Sequence, residues 1–189
     1  MPSPSRLDAV AAAAVLARGG VVAYPTEGVW GLGGDPFDAH AVQRILAIKG
    51  RPADKGVILI AGDRAQLDRI VDWTRLDAAR RDAVFDSWPG PNTWVVPARI
   101  DVPAWITGVH DSVAVRVSAH PEVVALCAAW GGALVSTSAN RSGQPAAATV
   151  DQLDPQLIAE LDGVLAGETG GRLQPSTIRD AATGAVLRG

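Results

Sequence analysis

The sequence is poor in the residues that build disulfides, zinc sites and membrane spans. Cys127 is its only cysteine and it has three histidines, so it can form no intrachain disulfide and has too few ligands for a structural zinc site. The apolar neighbours of Cys127 favour a small buried side chain. No apolar run reaches the roughly 20 residues that a membrane helix needs, and the N-terminus lacks the apolar centre of a signal peptide. We therefore expect a soluble, cytoplasmic protein without membrane contact.

Lysine is also nearly absent. Lys49 and Lys55 are the only two among 17 basic residues, so 15 (17 − 2) are arginines. Both lie at the start of the segment 49–60, KGRPADKGVILI, with Arg51 between them. In a chain that otherwise uses arginine, this pattern indicates that compact, mobile ammonium groups are needed here. The alternative is a solvated basic loop whose two lysines stand together by chance.

The elements around this segment favour a functional role. Residues 38–49 carry apolar side chains at near-helical spacing, Asp38 suits the N-cap, and Gly50 followed by Pro52 can end the helix. Residues 57–60 are apolar and mostly β-branched, which predicts a buried strand. The three cations then lie on a loop between a helix and a strand, where they would suit a polyphosphate.

Length and charge limit the fold and its partners. The 189 residues predict one domain spanning 1–189. A domain of this size buries about 70% of the surface that the unfolded chain exposes, so it needs no disulfide or bound metal for stability. A net charge of −3 excludes a chain that is basic throughout, so any nucleic-acid contact must come from a local patch. His40, His110 and His120 are scattered and offer no candidate for a nucleophilic triad.

Helix and strand patterns alternate along the rest of the chain. Helices are predicted at 5–18, with Ser5 and Asp8 as a capping box, and at 63–70, 75–88, 121–130 and 150–161. Strands are predicted at 21–24, 93–97, 112–117, 133–135, 163–166, 176–179 and 185–188.

Glycine and tryptophan have competing interpretations. The glycines after the first predicted strand either let the backbone approach a ligand or supply positive φ in a loop; they are Gly28, Gly31, Gly33 and Gly34. Trp94 and Trp105 are expected to be packing residues rather than platforms on which a ligand stacks.

Two polar features belong to predicted strands. Arg116 lies within the alternating strand SVAVRV, where an unpaired cation is costly, so an acidic side chain or an anionic ligand must pair with it. We favour the ligand. The segment 136–140, STSAN, follows another strand, and its hydroxyls and amide can form a cradle for a polar ligand. Serine and asparagine are also common in turns, which is the alternative.

Five motifs now stand in order along nearly the whole chain. They are VAYPTE with WGLG, then KGRP, SVAVR, STSAN and PSTI. In this order they resemble the YrdC-like family, the threonylcarbamoyl-AMP synthases. The length is similar to the short single-domain bacterial form (TsaC type), without the C-terminal domain of longer relatives.

The resemblance implies a fold and a reaction. The fold is α/β: a single domain whose twisted, mixed parallel and antiparallel sheet, flanked by helices, lines a deep concave basic groove. The enzyme would condense L-threonine, bicarbonate or CO2, and ATP to threonylcarbamoyl-AMP and pyrophosphate. A separate complex would then transfer the threonylcarbamoyl group to a tRNA adenosine beside the anticodon. Mg²⁺ would arrive with the ATP phosphates rather than in a protein cage, and a direct tRNA contact stays open.

The resemblance also implies the site residues, through a Lys-x-Arg pair and a Ser-x-Asn pair. Lys49 and Arg51 are the expected catalytic residues. The expected ATP-binding residues are Lys49, Arg51, Lys55, Ser112, Ser138, Asn140 and Arg188. The expected threonine-binding residues are Thr26, Arg116, Ser136 (also near the nucleotide) and Ser176. No protein ligand to a metal is expected.

Three departures from the family pattern concern the threonine pocket. Gly28 stands where many relatives have a threonine, Trp30 where many have a tyrosine, and Ile60 where some longer relatives have a histidine. Two other functions therefore stay open. One is a binding module for double-stranded RNA or tRNA without catalysis, whose affinity would fall steeply with salt. The other is a carbamoyl or adenylyl transferase that acts on another amine.

Overall fold

The alternating helices and strands build two β-sheets with helices packed against them. The computed structural model describes residues 6–172 and 176–188. The strands are β1 (Arg6–Leu7), β2 (Val22–Pro25), β3 (Trp30–Gly33), β4 (Ile58–Ala61), β5 (Asn92–Pro97), β6 (Ser112–Val117), β7 (Leu134–Val135), β8 (Thr137–Ser138), β9 (Gly163–Leu165), β10 (Thr177–Asp180) and β11 (Val186–Arg188). The helices are α1 (Ala9–Leu16), α2 (Ala39–Lys49), α3 (Ala78–Asp86), α4 (Ala104–Thr107), α5 (Pro121–Trp130) and α6 (Pro155–Ile158). Short 3₁₀ helices occupy Ala53–Lys55, Arg64–Leu67, Trp73–Arg75 and Val150–Gln152.

Both sheets are mixed. The first has five strands in the order β1-β9-β2-β3-β8, and the second has six in the order β11-β10-β5-β6-β4-β7. In the first, β2 is parallel to β9 and antiparallel to β3. In the second, β6 is parallel to β4 and antiparallel to β5. The predicted α/β class and mixed pairing are confirmed, but the strands divide between two sheets where the sequence predicted one.

The chain crosses from one sheet to the other at Ser136. Immediately before it, Val135 of β7 pairs with Leu59 in the second sheet. Immediately after it, Thr137 of β8 pairs with Leu32 in the first sheet. The Ser136 amide donates to the Ile58 carbonyl at 2.7 Å, which holds the crossing in place. The segment 136–140 therefore lies where the two sheets meet.

The glycines of β3 make room for an aromatic ring. A Cβ on Gly33 would lie 2.6 Å from the ring of Tyr24, and one on Gly31 would lie 3.3 Å from it. Neither glycine, nor Gly28 or Gly34, has a positive φ, so the interpretation of a loop that needs positive φ was wrong. Tyr24 is fully buried and donates its hydroxyl to the Val135 carbonyl at 3.2 Å, which joins the first sheet to β7.

The apolar core follows the predicted pattern. Val113, Val115 and Val117 are buried, as the alternation in 112–117 required. Helices α1 and α5 pack against each other over a cluster that includes Cys127. Burial raises the pKa of the Cys127 thiol to about 12, so this cysteine is a small apolar residue of the core, as expected.

Two helix predictions need correction. Helix α1 begins at Ala9 with Asp8 as its N-cap, because Arg6–Leu7 pairs with β9 as a strand; Ser5 lies outside the described residues. The predicted helix at 150–161 is broken, since Leu153 is extended and Asp154, with a ψ of 121°, is not helical ahead of Pro155. A proline disfavours the helical conformation in the residue before it, so only Pro155–Ile158 forms an α-helical turn.

Other predicted helices differ in length. The region 63–70 forms only a short 3₁₀ helix capped by Asp63, and the charged helix at 75–88 is confined to α3. Helix α5 has the predicted bounds. None of the helices within 6–172 and 176–188 is long and apolar enough to span a bilayer.

The two tryptophans of interest serve packing, as expected. The Trp94 indole is buried and donates to Ser87 Oγ at 2.8 Å. The Trp105 indole is half-buried and donates to the Pro36 carbonyl at 3.1 Å.

Candidate active site

Both sheets contribute walls to a cavity of about 720 Å³. Nearly all of the predicted site residues line it: Thr26, Lys49, Arg51, Lys55, Arg116, Ser136, Ser138, Asn140, Ser176 and Arg188. Ser112 is the exception. It begins β6, beside Pro97, and does not line this cavity, whereas Arg116 near the other end of the same strand does.

Lys49 is the last residue of helix α2 rather than part of the following loop. Gly50 ends the helix in the left-handed conformation, with φ 60°, and directs the chain away. Lys49 is only 7% exposed and ends a helix, so the expectation that all three cations lie on a loop was wrong for Lys49. Burial and the nearby Arg51 cation lower the pKa of Lys49 from 10.5 to about 8.

The Lys49 ammonium joins the two signature pairs. It donates to the Ser138 carbonyl at 2.7 Å, to Ser138 Oγ at 3.2 Å and to Asn140 Oδ1 at 2.6 Å. Three acceptors match the three N–H groups of an ammonium. Ser138 Oγ also donates to Asn140 Oδ1 at 2.5 Å, and Asn140 Nδ2 donates to the Gln144 carbonyl. Lys49 therefore fixes the loop that follows β8.

Arg51 and Lys55 are held differently. Arg51 is half-buried, and Lys55 is exposed at the end of the 3₁₀ turn Ala53–Lys55. Neither side chain makes a hydrogen bond or ion pair with the described residues, while both line the cavity. Their charges can therefore turn towards an anion in the cavity.

Arg116 has an acidic partner that sequence reasoning missed. Its Nη1 lies 3.0 Å from Glu27 Oε2, with the two side chains 10% and 15% exposed. The expectation that a ligand rather than an acid pairs with Arg116 is corrected accordingly. Burial alone would raise the pKa of Glu27, but Arg116 and the Ser118 hydroxyl hold it below its ordinary value. The only signal in the sequence was an acid directly after Thr26, at the end of β2.

The remaining wall carries hydroxyl groups. The Thr26 hydroxyl donates to the Val29 carbonyl at 2.7 Å and closes the turn between β2 and β3. Thr93, another residue not predicted, donates to Ser176 Oγ at 3.0 Å. Arg188 Nη2 donates to the Ser176 carbonyl at 3.4 Å. Pro175, which opens the PSTI motif, lies outside the described residues.

The cavity is basic although the chain is acidic. Its cations are Lys49, Arg51, Lys55, Arg116, Arg172 and Arg188. Glu27 is the only carboxylate among the described lining residues, and Arg116 is already its partner. Within the described ranges, no group of three or more His, Cys, Asp or Glu side chains could hold a metal ion. The cavity therefore suits a ligand with several negative charges.

Known proteins resemble the chain over its whole length. A family model for Sua5, YciO and YrdC proteins, described as telomere recombination, matches residues 14–189. The threonylcarbamoyl-AMP synthase of Xanthomonas campestris pv. campestris (strain B100) is 55% identical over 188 residues, 100% of both chains.

Solved structures share the fold. P. abyssi Sua5, complexed with L-threonine, superposes with a TM-score of 0.82 at 33% identity over 93% of this chain. The chain spans about half of that longer protein, 52% of its length. E. coli YciO has a TM-score of 0.79 at 24% identity and covers 98% of this chain and 91% of its own, which supports the fold alone. By the family match and by full-length identity, the chain belongs to the Sua5–YciO–YrdC family.

Proposed function

We propose that the basic cavity is the active site of a threonylcarbamoyl-AMP synthase. The enzyme condenses L-threonine, bicarbonate or CO2, and ATP into threonylcarbamoyl-AMP and pyrophosphate. The observation that carries the proposal is that Lys49, Ser138 and Asn140 form one hydrogen-bonded cluster on a cavity that Arg51 and Arg116 also line. The X. campestris relative bears this enzyme's name.

Three cations that line the cavity bind the ATP phosphates. Arg51, Lys55 and Arg188 line the cavity, and Lys55 and Arg188 are exposed, so they can adjust to a polyphosphate. Lys49 holds the Ser138–Asn140 segment in place on the same cavity through its hydrogen bonds. Ser112 lies outside the cavity and has no part in the proposed site.

Arg116 binds the threonine carboxylate. A guanidinium can donate two parallel hydrogen bonds to a carboxylate, and burial strengthens such a pair. Thr26, Ser136 and Ser176 lie on the same cavity and offer hydroxyl groups to the rest of the amino acid. P. abyssi Sua5, which shares the fold, forms a complex with L-threonine, and this supports a threonine site here.

The reaction needs positioning and charge stabilisation rather than a protein nucleophile. The threonine nitrogen attacks the carbon of CO2 and loses a proton, which gives a carbamate. A carbamate oxygen attacks the α-phosphorus of ATP, the bond from that phosphorus to the bridging oxygen breaks, and pyrophosphate leaves. Negative charge grows on the α-phosphate and on pyrophosphate, and Arg51 and Lys55 can stabilise it.

Mg²⁺ has no dedicated protein site in this proposal. Magnesium prefers carboxylate and water oxygens in octahedral geometry, whereas Glu27, the only lining carboxylate that the structure describes, is engaged by Arg116 and Ser118. A magnesium ion would therefore arrive bound to the phosphates of ATP, and no step is assigned to it.

The chemistry of threonylcarbamoyl-AMP requires a second enzyme that uses it. A mixed anhydride between a carbamate and AMP is reactive, so a second enzyme complex must take its threonylcarbamoyl group. We propose a tRNA-modifying transferase complex in that role, with an adenosine beside the anticodon as acceptor.

Pyrophosphate release from ATP tests the proposal. The assay is run with and without L-threonine and bicarbonate, and then with other amino acids in place of threonine. Release that requires both cosubstrates, with threonine preferred, is the expected result. The Lys49→Ala variant should lose it.

Two other outcomes would point elsewhere. Release supported better by another amine would indicate a related transferase, for which Gly28 beside Thr26 is the motivating feature. Absence of release, together with tRNA binding that weakens steeply with salt, would indicate an RNA-binding module.

A further inference from the structure

Glu27 and Arg116 form an ion pair in the wall of the cavity. Both side chains line it, and both are largely buried, at 15% and 10% exposure. A buried guanidinium without a counter-charge is costly, and among the described residues Glu27 is the only carboxylate that pairs with Arg116. Glu27 therefore supplies the charge that keeps Arg116 in place when no ligand is bound.

The contact leaves the donors of Arg116 available. Glu27 Oε2 lies 3.0 Å from Arg116 Nη1, yet it has no hydrogen-bond partner within the described part of the chain. The two groups are thus close without the alignment of a hydrogen bond. A guanidinium has five N–H donors in a fixed plane. Glu27 compensates the charge of Arg116 without occupying the N–H groups that a carboxylate ligand needs.

Glu27 is itself held on two sides. Its Oε1 accepts hydrogen bonds from Ser118 Oγ at 2.7 Å and from the Ala119 amide at 3.2 Å. Its main-chain carbonyl accepts from the Arg172 amide at 2.9 Å. A Cβ added to Gly170 would lie 3.0 Å from that carbonyl oxygen, so the segment around Gly170 packs directly on Glu27. The carboxylate therefore has a fixed position from which it can orient Arg116.

We infer that Glu27 is a positioning residue for the amino-acid subsite: it orients and charge-compensates Arg116, whose free N–H donors receive the substrate carboxylate. The inference rests on the proposed function for the identity of that substrate. Nucleotide binding does not depend on Glu27, because the residues proposed for it belong to other elements of the cavity wall. They are Lys49 with its partners Ser138 and Asn140, and the cations Arg51, Lys55 and Arg188.

The Glu27→Gln variant tests this role. Glutamine has a similar shape, and its amide oxygen can accept the bonds from Ser118 and Ala119, so the variant removes mainly the charge. We expect the KM for threonine to rise on the order of tenfold, while the KM for ATP stays within about twofold. Glu27→Asp, which keeps the charge, should recover part of the loss. Calorimetric titration with threonine should rank the affinities in the same order, with the wild type tightest, Glu27→Asp next and Glu27→Gln weakest.

A matched control removes a carboxylate elsewhere. Asp111 pairs with Arg75 at 2.7 Å, with side chains 80% and 46% exposed, away from this cavity. Asp111→Asn should change neither KM. Tighter threonine binding by Glu27→Gln would mean that Glu27 competes with the substrate, and an equal rise of both KM values would mean a general structural role. Either result would overturn the inference.

A double-mutant cycle measures the pairing without enzymatic activity. Glu27→Gln, Arg116→Gln and the double variant are unfolded in urea, and we expect the double variant to lose less stability than the two single losses combined. Additive losses would overturn the inference. Wild-type pyrophosphate release that is independent of threonine would instead refute the proposed function, so the two failures are distinct.

Discussion

Four cations of the cavity, two buried and two exposed, differ in how they are held. Lys49 and Arg116 are both buried and have fixed partners, Ser138 and Asn140 for the first and Glu27 for the second. Lys55 and Arg188 are exposed. The buried cations organise the cavity before any ligand arrives. Arg188 donates one long hydrogen bond to the Ser176 carbonyl, and Lys55 has no partner among the described residues, so Lys55 can act only on the ligand.

The difference has an energetic cause. Removing a charge from water is unfavourable unless hydrogen bonds or a counter-charge compensate it, so a buried cation must be part of the folded structure. An exposed cation keeps its hydration and is screened by salt. Substitution of a buried cation should therefore affect both stability and catalysis, and substitution of an exposed cation should affect catalysis alone.

Lys49→Ala should have the largest effect. It removes the three N–H donors of the ammonium and leaves the Ser138 carbonyl without this partner, while Asn140 Oδ1 keeps only the bond from the Ser138 hydroxyl. We expect turnover to fall about 100-fold or more, and the free energy of unfolding to fall by about 1–3 kcal/mol. Steady-state pyrophosphate release and urea denaturation measure the two losses.

The matched control for that variant is Lys55→Ala, because Lys55 is the only other lysine. Its free energy of unfolding should match that of the wild type. An unchanged stability of Lys49→Ala would contradict the distinction between buried and exposed cations, and so would a destabilised Lys55→Ala.

Arg116→Lys should have the next largest effect. Lysine keeps a positive charge near Glu27 but lacks the planar fork that binds a carboxylate through two bonds. We expect the KM for threonine to rise on the order of tenfold, with the KM for ATP within about twofold. Arg75→Lys, in the exposed pair with Asp111, is the control and should change neither constant. A KM change confined to ATP would remove Arg116 from the threonine site.

The pH dependence of stability should reveal the buried lysine. The pKa of Lys49 is about 8 in the folded chain and 10.5 ordinarily, so between these values the unfolded chain binds more protons. The contribution of Lys49 to the free energy of unfolding therefore rises with pH through this window, by at most about 1.4 kcal/mol per pH unit. Urea denaturation of the wild type and of Lys49→Met between pH 7.5 and 10 should show a difference that grows with pH. A constant difference would mean that the pKa of Lys49 is not lowered.

Local signals in the sequence predicted the elements that carry the site. The Asp38 cap and Gly50 defined helix α2, and the alternation in 112–117 defined β6 and the place of Arg116. The motifs also predicted which side chains share one cavity, except Ser112. These features depend on neighbours within a few residues or on a recognisable family pattern.

Tertiary contacts decided the rest. Burial of Lys49 depends on Ser138 and Asn140, and the pairing of Arg116 depends on Glu27, all far away in the chain. The division into two sheets depends on the crossing at Ser136, where the sequence shows only small polar residues. The end of helix α2 at Lys49 was predicted correctly, but the burial of the Lys49 side chain was not.

Lys55→Ala should have the smallest effect, and that effect should depend on salt. Lys55 is exposed and makes no hydrogen bond or ion pair with the described residues, so its only contribution is charge offered to the ATP phosphates. We expect the KM for ATP to rise about threefold at low ionic strength, because an exposed charge interaction is worth about 1 kcal/mol or less. The effect should fade towards 1 M salt, where the screening length is about 3 Å. Pyrophosphate release measured over a salt series, with Lys55→Arg as the charge-retaining control, checks this. An effect that persists at high salt would mean that Lys55, like Lys49, acts through a fixed and desolvated contact.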